Sequence, residues 1–390
     1  MEDFLKNNKV ILALILLLGL GLRLWNINSP EGIWHSEYIA CTFSAFDFPF
    51  DFFNALKTNS HAPLHCYYMK LWNLLFNNSA FMYKLSSLLP NLGACFVMYF
   101  VGKNYQLKDG SAKLGLTCAL IASISSFLIY FSQEAKIYSL IFLLVSCVLL
   151  YSIKVYEFPS KKNYSLLALF SILLILEHTI GIIFVIFNTF ALIAFRQKNK
   201  KHKNDSDFFI PVLSMLILCL PLIPFLFRIF AHPTYFSQWW APFSWSKIFF
   251  FFTDLFSPIL RNITQSPSGF YNQIITNNII NIGFVMFALI PAGIMLFAII
   301  KSNIESRKIN KYMLSCVLST FLTVLIATIA GKLPFLTKYF IELYPILILM
   351  ASLGLVQLNS RNTRIMLLTI YVFLTLFYII VSHITSINLV

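Results

Sequence analysis

A chain of 390 residues that is 58% hydrophobic and only 11% charged, with a mean hydropathy of +0.77, lacks the polar surface needed to cover a soluble globule of its size. It reads as an integral membrane protein. The net charge of +14 does not signal nucleic acid, because the basic residues are spread over short loops between apolar runs, the pattern of cytoplasmic anchoring.

The first apolar run, 10–25, approaches the roughly 20 residues a helix needs to cross a bilayer. Lys6 and Lys9 would also suit the basic end of a signal peptide. No small-residue cleavage site follows, however, and Arg23-Leu24-Trp25 sits where an interfacial anchor would, so the run is kept as the first span. A long polar interruption follows, 26–84, carrying Glu31, His35, Glu37, Asp47, Asp51, His61 and His65. Its apolar stretches 43–53 and 67–76 are too short or too interrupted to cross and suit helices lying in the interface plane. Further spans are expected at 85–101, 114–131, 137–151, 164–176, 180–195, 208–227, 279–300, 313–330, 339–356 and 365–381, eleven in all with the first. Only Glu177-His178-Thr179 separates two of them, so that pair forms a tight helical hairpin with a polar tip. The expected architecture is an all-α polytopic membrane protein of one domain, 1–390. Its landmarks are the first external loop 26–84, a basic cytoplasmic loop 196–207 and a second long external loop 228–278, which holds Trp239, Trp240, Trp245, Asp254 and Arg261. The cysteines are scattered without a C-x-x-C pair, and only Cys41 and Cys66 share the first loop, where one disulfide could form.

With a cytoplasmic N-terminus, that side collects nineteen of the 29 Lys and Arg: Lys6, Lys9, Lys103, Lys108, Lys113, Lys154, Lys161, Lys162, five from Arg196 to Lys203, Lys301, Arg307, Lys308, Lys311, Arg361 and Arg364. This bias places the Glu37 loop on the extracytoplasmic face. Glu37, Glu134, the Glu177-His178 pair, and Lys338 with Glu342 then all come to one side. A charge at membrane depth costs a few kcal/mol unless paired or hydrated. Simple helix-end ion pairs, Glu134 with Lys136 and Lys338 with Glu342, explain any single residue as well as a functional cavity does; four convergent segments favour the cavity. Trp34 can bury one side of the loop beside Glu37 and so raise its proton affinity toward the range of a general base.

Arg23-Leu24-Trp25, the box Ile33-Trp34-His35-Ser36-Glu37-Tyr38, His61-Ala62-Pro63-Leu64 with Lys70-Leu71-Trp72, Ser132-Gln133-Glu134-Ala135-Lys136-Ile137-Tyr138-Ser139-Leu140, His178-x-x-Gly181 and Lys338-Tyr339 with Pro345 resemble, in order and spacing, the signatures of the GT-C membrane glycosyltransferases. The nearest look is to the bacterial branch related to dolichyl-phosphate-mannose protein mannosyltransferases and to the RgtA-type and aminoarabinose (lipid A) transferases. The resemblance covers most of the chain and is strongest over the first 190 residues. It implies transfer of a sugar from a polyprenyl-phosphate donor to a cell-envelope acceptor (lipid, glycan or protein) at the outer face of a bacterial inner membrane. It puts Ser36 where the family has its base Asp and Glu37 where it has a Glu. Glu134 takes the family's second acidic position, Lys136 and Lys338 stand for arginines, and Ala62 replaces a proline of the box that His61 opens.

The chemistry needs a group that takes the acceptor's hydroxyl proton and a cation that steadies the departing phosphate, in one inverting displacement. The expected catalytic residues are Glu37 and Glu134, with His35 as substitute base. The expected donor-phosphate and substrate contacts are Lys338, Lys136, Tyr339, His61 and His178. No cofactor is assigned from the sequence. A divalent metal held by Glu37, His61 and Glu134, with His35 or His65, is a second reading that no fixed close spacing supports. A secondary transporter would show related halves, which are not apparent; a catalytically degenerate GT-C-like protein or flippase stays open because Ser36 replaces the acid.

Overall fold

The computed structural model describes residues 7–25, 27, 37, 63–76, 79–105, 111–197, 251, 279–304, 308–331 and 335–387; most of these are helical, and no strand occurs among them. The helices are α1 (Asn8–Leu24), α2 (Pro63–Leu75), α3 (Ala80–Asn104), α4 (Ser111–Ile124), α5 (Ser126–Ser132), α6 (Tyr138–Glu157), α7 (Lys161–Glu177), α8 (Thr179–Gln197), α9 (Ile279–Ile304) and α10 (Lys308–Ile329). After them come a 3₁₀ segment (Thr337–Leu343), α11 (Tyr344–Val356) and α12 (Arg361–Ile387). Polar residues set several starts: the side chains of Asn7, Ser79, Ser125 and Ser160 accept from the backbone N–H groups of Lys9, Met82, Leu128 and Asn163, satisfying donors that a helix N-terminus leaves orphaned.

Ten of the expected spans fall on described helices. Among the described residues four helices are long and apolar enough to cross a membrane, Ala80–Asn104, Tyr138–Glu157, Ile309–Ile329 and Thr337–Val356, and a fifth if the bent α4–α5 pair is one span. The eleventh expected span, 208–227, lies outside the described residues, as do most of the first loop, the loop from 198 to 207 and most of 228–278; the total of eleven stays an expectation. Cys66 is buried on α2, and its suggested partner Cys41 lies outside the described residues.

α3 packs between α4 and α6, α1 lies on α4, α7 lies on α6, α8 packs on α10, and α9 packs on α11. α11 is the innermost element, buried without interruption from Tyr344 to Leu355; a helix apolar all round belongs inside a bundle. Its approach to α9 requires glycine: a Cβ on Gly354 would stand 1.8 Å from the Ala298 carbonyl oxygen. Gly102 and Gly115 make the same allowance where α3 crosses α4, a Cβ on Gly102 meeting the Gly115 backbone nitrogen at 2.7 Å. Small residues at such crossings let membrane helices pack backbone to backbone. Large apolar side chains project outward from α10 and α12, including Leu322, Ile326, Ile365, Phe373 and Phe377.

The structure revises two expectations. The run 114–131 is not one straight helix: α4 and α5 bend by 58° at Ser125, whose hydroxyl caps α5 and bonds the Tyr344 hydroxyl at 2.7 Å. Arg23 is also no interfacial anchor, since it is fully buried while its neighbour Trp25 is half-exposed. Its guanidinium donates to the carbonyls of Ser123 (2.7 Å), Ala122 (3.2 Å) and Gly19 (2.9 Å) and to Oδ1 of Asn91. The bend leaves carbonyls at the end of α4 without intrahelical donors, and a cation from α1 satisfies them where the helix dipole favours positive charge.

Candidate functional site

The site grows from the short segment between α5 and α6. Lys136 N–H bonds the Glu134 carbonyl at 2.8 Å, forming a tight turn. Three helices hold that turn. From α1, the Arg23 and Trp25 carbonyls accept from the Gln133 side chain at 3.1 and 2.7 Å. From α3, the Ser87 hydroxyl bonds the Lys136 backbone on both its N–H and its carbonyl, and Asn91 donates to Ser139. From α6, Ser139 donates to the Phe131 carbonyl at 2.9 Å. Buried polar groups satisfied this fully fix one conformation.

Glu37 reaches the same turn: it is fully buried, and its Oε1 accepts from the Ala135 N–H at 2.7 Å. Glu134 has both oxygens engaged, Oε1 by the Tyr130 hydroxyl and Oε2 by Lys136 Nζ at 3.2 Å. The first of the two expected ion pairs therefore forms.

The second does not. Glu342, fully buried on the 3₁₀ segment, takes the Nδ1 of His178 instead of Lys338. Lys338 Nζ lies over the rings of Tyr138 (5.7 Å) and Tyr339 (5.6 Å), a cation–π seat, within electrostatic reach of Lys136 and Glu134. The Tyr339 ring stacks on His178 with centroids 5.9 Å apart. Lys338 over Tyr138, and His178 against both Tyr339 and Glu342, join the turn and the 3₁₀ segment in one polar cluster. His178 arrives there because α7 stops at Glu177 and the next residue is extended (φ −150°, ψ 135°) before α8 resumes.

Behind this cluster, His65 on α2 stands 3.2 Å from Glu177 by its Nδ1, both side chains being buried. The geometry is not that of a hydrogen bond. Burial holds the His65 pKa down to about 4, so its ring is neutral at pH 7 and the contact is a histidine beside a carboxyl group, not an ion pair.

Of the expected site residues, Glu37, Glu134, Lys136, His178, Lys338 and Tyr339 are brought to this end of the bundle. His35 and His61, with Ser36, lie outside the described residues. Glu342, Glu177, Tyr130, Tyr138, Gln133 and Arg23 were not among the expected site residues. Gln133 and Tyr138 belong to the same sequence box as Glu134, and Glu342 was marked by its depth in the membrane. Among the described residues no group of three His, Cys, Asp or Glu side chains is close enough to hold a metal. The metal reading keeps only Glu37 and Glu134 here, the first tied to a backbone amide and the second to Tyr130 and Lys136.

The helical bundle is similar in fold to two crystal structures, both of ArnT from Cupriavidus metallidurans. The apo form is similar with a TM-score of 0.50 and 14% identity over 78% of this chain and 50% of that chain. The form bound to undecaprenyl phosphate is similar with a TM-score of 0.53 and 12% identity over 91% of this chain and 62% of that chain. The chain thus spans about half to three fifths of the ArnT chains. No family model matches the chain, and no curated protein matches it.

Proposed function

We propose that this protein is a bacterial inner-membrane glycosyltransferase that moves a sugar from a polyprenyl-phosphate donor to a cell-envelope acceptor at the extracytoplasmic face. The observation that carries the reading is the convergence of Lys136 and Lys338, from distant parts of the sequence, on one buried polar cluster. In a fold shared with a protein crystallised with undecaprenyl phosphate, two cations so placed suit a lipid phosphate. The acceptor oxygen attacks the anomeric carbon, the bond from that carbon to the phosphate oxygen breaks, and the phosphate leaves with its charge met by the lysines. One displacement inverts the anomeric centre. Glu134 fixes Lys136, and the Tyr138 and Tyr339 rings fix Lys338.

Purified protein in detergent, given radiolabelled undecaprenyl-phosphate sugars and cell-envelope fractions, is expected to transfer label. Lys338→Gln is expected to raise the apparent donor requirement roughly 10- to 150-fold at unchanged protein level, the equivalent of a charged hydrogen bond of about 1.5–3 kcal/mol. Absence of transfer across the donor panel would overturn the reading. Unchanged donor dependence in Lys338→Gln would reduce Lys338 to a helix-end anchor.

A further inference from the structure

Resting on that reading, we propose that His178, oriented by Glu342, takes the proton from the acceptor hydroxyl. The carboxylates named by the sequence already have other tasks: Glu37 Oε1 holds the Ala135 N–H, and both oxygens of Glu134 are engaged by Tyr130 and Lys136. His178 is differently placed. Its Nδ1 faces Glu342 Oε1. In the proposed dyad Glu342 is a carboxylate that can only accept, which assigns the hydrogen to Nδ1 and the lone pair to Nε2. Among the described residues Nε2 is neither hydrogen-bonded nor sealed in as a buried orphan. The ring lies against Tyr339, the neighbour of Lys338, which puts the imidazole next to the seat proposed for the leaving phosphate.

Glu342 makes the case for a working dyad over a resting contact. It is fully buried, and among the described residues its Oε2 has no hydrogen-bond partner. A buried carboxylate with one neutral partner is poorly compensated, and it becomes well compensated when that partner becomes a cation. Proton transfer to Nε2 creates that cation. The Tyr339 face adds cation–π support to the imidazolium.

The step balances. The acceptor oxygen bonds the anomeric carbon and its proton goes to Nε2, while the electron pair of the broken carbon–oxygen bond stays on the polyprenyl phosphate. The imidazolium then returns its proton to water or to the departing phosphate. His178 is the catalytic residue and Glu342 the positioning residue.

The test uses the full chain in detergent with the radiolabelled undecaprenyl-phosphate sugar and envelope fraction that support transfer. His178→Asn keeps a donor near the Nδ1 position and deletes Nε2. It is expected to lower kcat by about 10²- to 10⁴-fold, the usual contribution of a general base, with the apparent donor KM little changed. Glu342→Gln is expected to lower kcat at least about tenfold at unchanged donor KM, with partial recovery in Glu342→Asp, since the carboxylate fixes the ring tautomer. If either variant fails to fold, diethyl pyrocarbonate on the wild type gives the second measurement. Loss of transfer should track carbethoxylation of His178 in peptide mass spectra, slow when undecaprenyl phosphate is added, and reverse with hydroxylamine, while buried His65 reacts late. A His178→Asn protein with near-normal kcat, or a His178 that reacts without loss of transfer, overturns the dyad while leaving the transferase reading intact. A wild type that transfers no label overturns the transferase reading, and the dyad with it.

Discussion

At the scale of single residues, Glu37 separates two tasks that a buried carboxylate can perform. Its sequence setting, beside Trp34 and just past the first span, suits a general base. Its described contact is a hydrogen bond from the Ala135 N–H at 2.7 Å, which helps fix the turn that presents Glu134 and Lys136. Glutamine retains an oxygen that can accept that bond but cannot take a proton. If Glu37 positions the turn, Glu37→Gln should keep transfer within about tenfold of wild type, whereas loss of a general base would cost about 10²- to 10⁴-fold. Glu37→Ala should lower apparent stability by about 1–3 kcal/mol, the cost of stranding a buried backbone donor. Thermal unfolding in detergent and label transfer, measured on both variants, decide the matter; a well-folded but inactive Glu37→Gln protein would return the base role to Glu37.

At the scale of elements, hydropathy exposed the spans well because the apolar runs among the described residues fall on helices, and it hid what happens inside them. The bend at Ser125 was invisible because α4 and α5 read as one apolar run, and the true role of Arg23 was invisible with it, since the α4 carbonyls it caps lie at that bend. The Glu134 box was legible, as its residues are consecutive. The His178–Glu342 contact was not, because it joins residues far apart in the chain. Helix contact also fixes what α11 tolerates. Gly354→Ala would set a Cβ 1.8 Å from the Ala298 carbonyl oxygen, and since both sides are backbone the helices must move apart; a loss of at least about 1–3 kcal/mol is expected, read as a lowered Tm. A Tm equal to wild type would mean that α9 and α11 do not meet as described. Docking of α2 should depend on pH through His65. The unfolded chain takes up the His65 proton near its ordinary pKa of 6.5, whereas the folded chain does so only near 4. The His65 contribution to stability therefore falls as pH drops through that window, by about 3 kcal/mol across it. His65→Phe should flatten this part of the Tm-against-pH curve; an unaltered slope would show that other groups set it.

At the scale of the whole molecule, the helix ends sort the charges. The ends that carry the polar cluster are the close of α5, the start of α6, the break between α7 and α8, and the 3₁₀ segment. Lys103 closes α3, Lys154 closes α6, Lys161 opens α7, Lys301 closes α9 and Arg361 opens α12. Each of these basic residues lies at the end of its helix away from the cluster, because its helix, or the one before or after it, has its other end there. Lysine and arginine in short loops favour the cytoplasm, so the polar cluster should face outward, where a polyprenyl-linked sugar and an envelope acceptor can meet. Two positions outside the described residues test this. In a background lacking the native cysteines, a cysteine at Asn59 should react with a membrane-impermeant thiol reagent applied to intact cells, and one at Asn204, beside the basic run from Arg196 to Lys203, should react only after the membrane is opened. The two sites serve as controls for each other, since a folded protein in either orientation labels one of them from outside. The reverse pattern would put Lys136 and Lys338 on the cytoplasmic face, and an acceptor in the outer envelope would then be out of their reach.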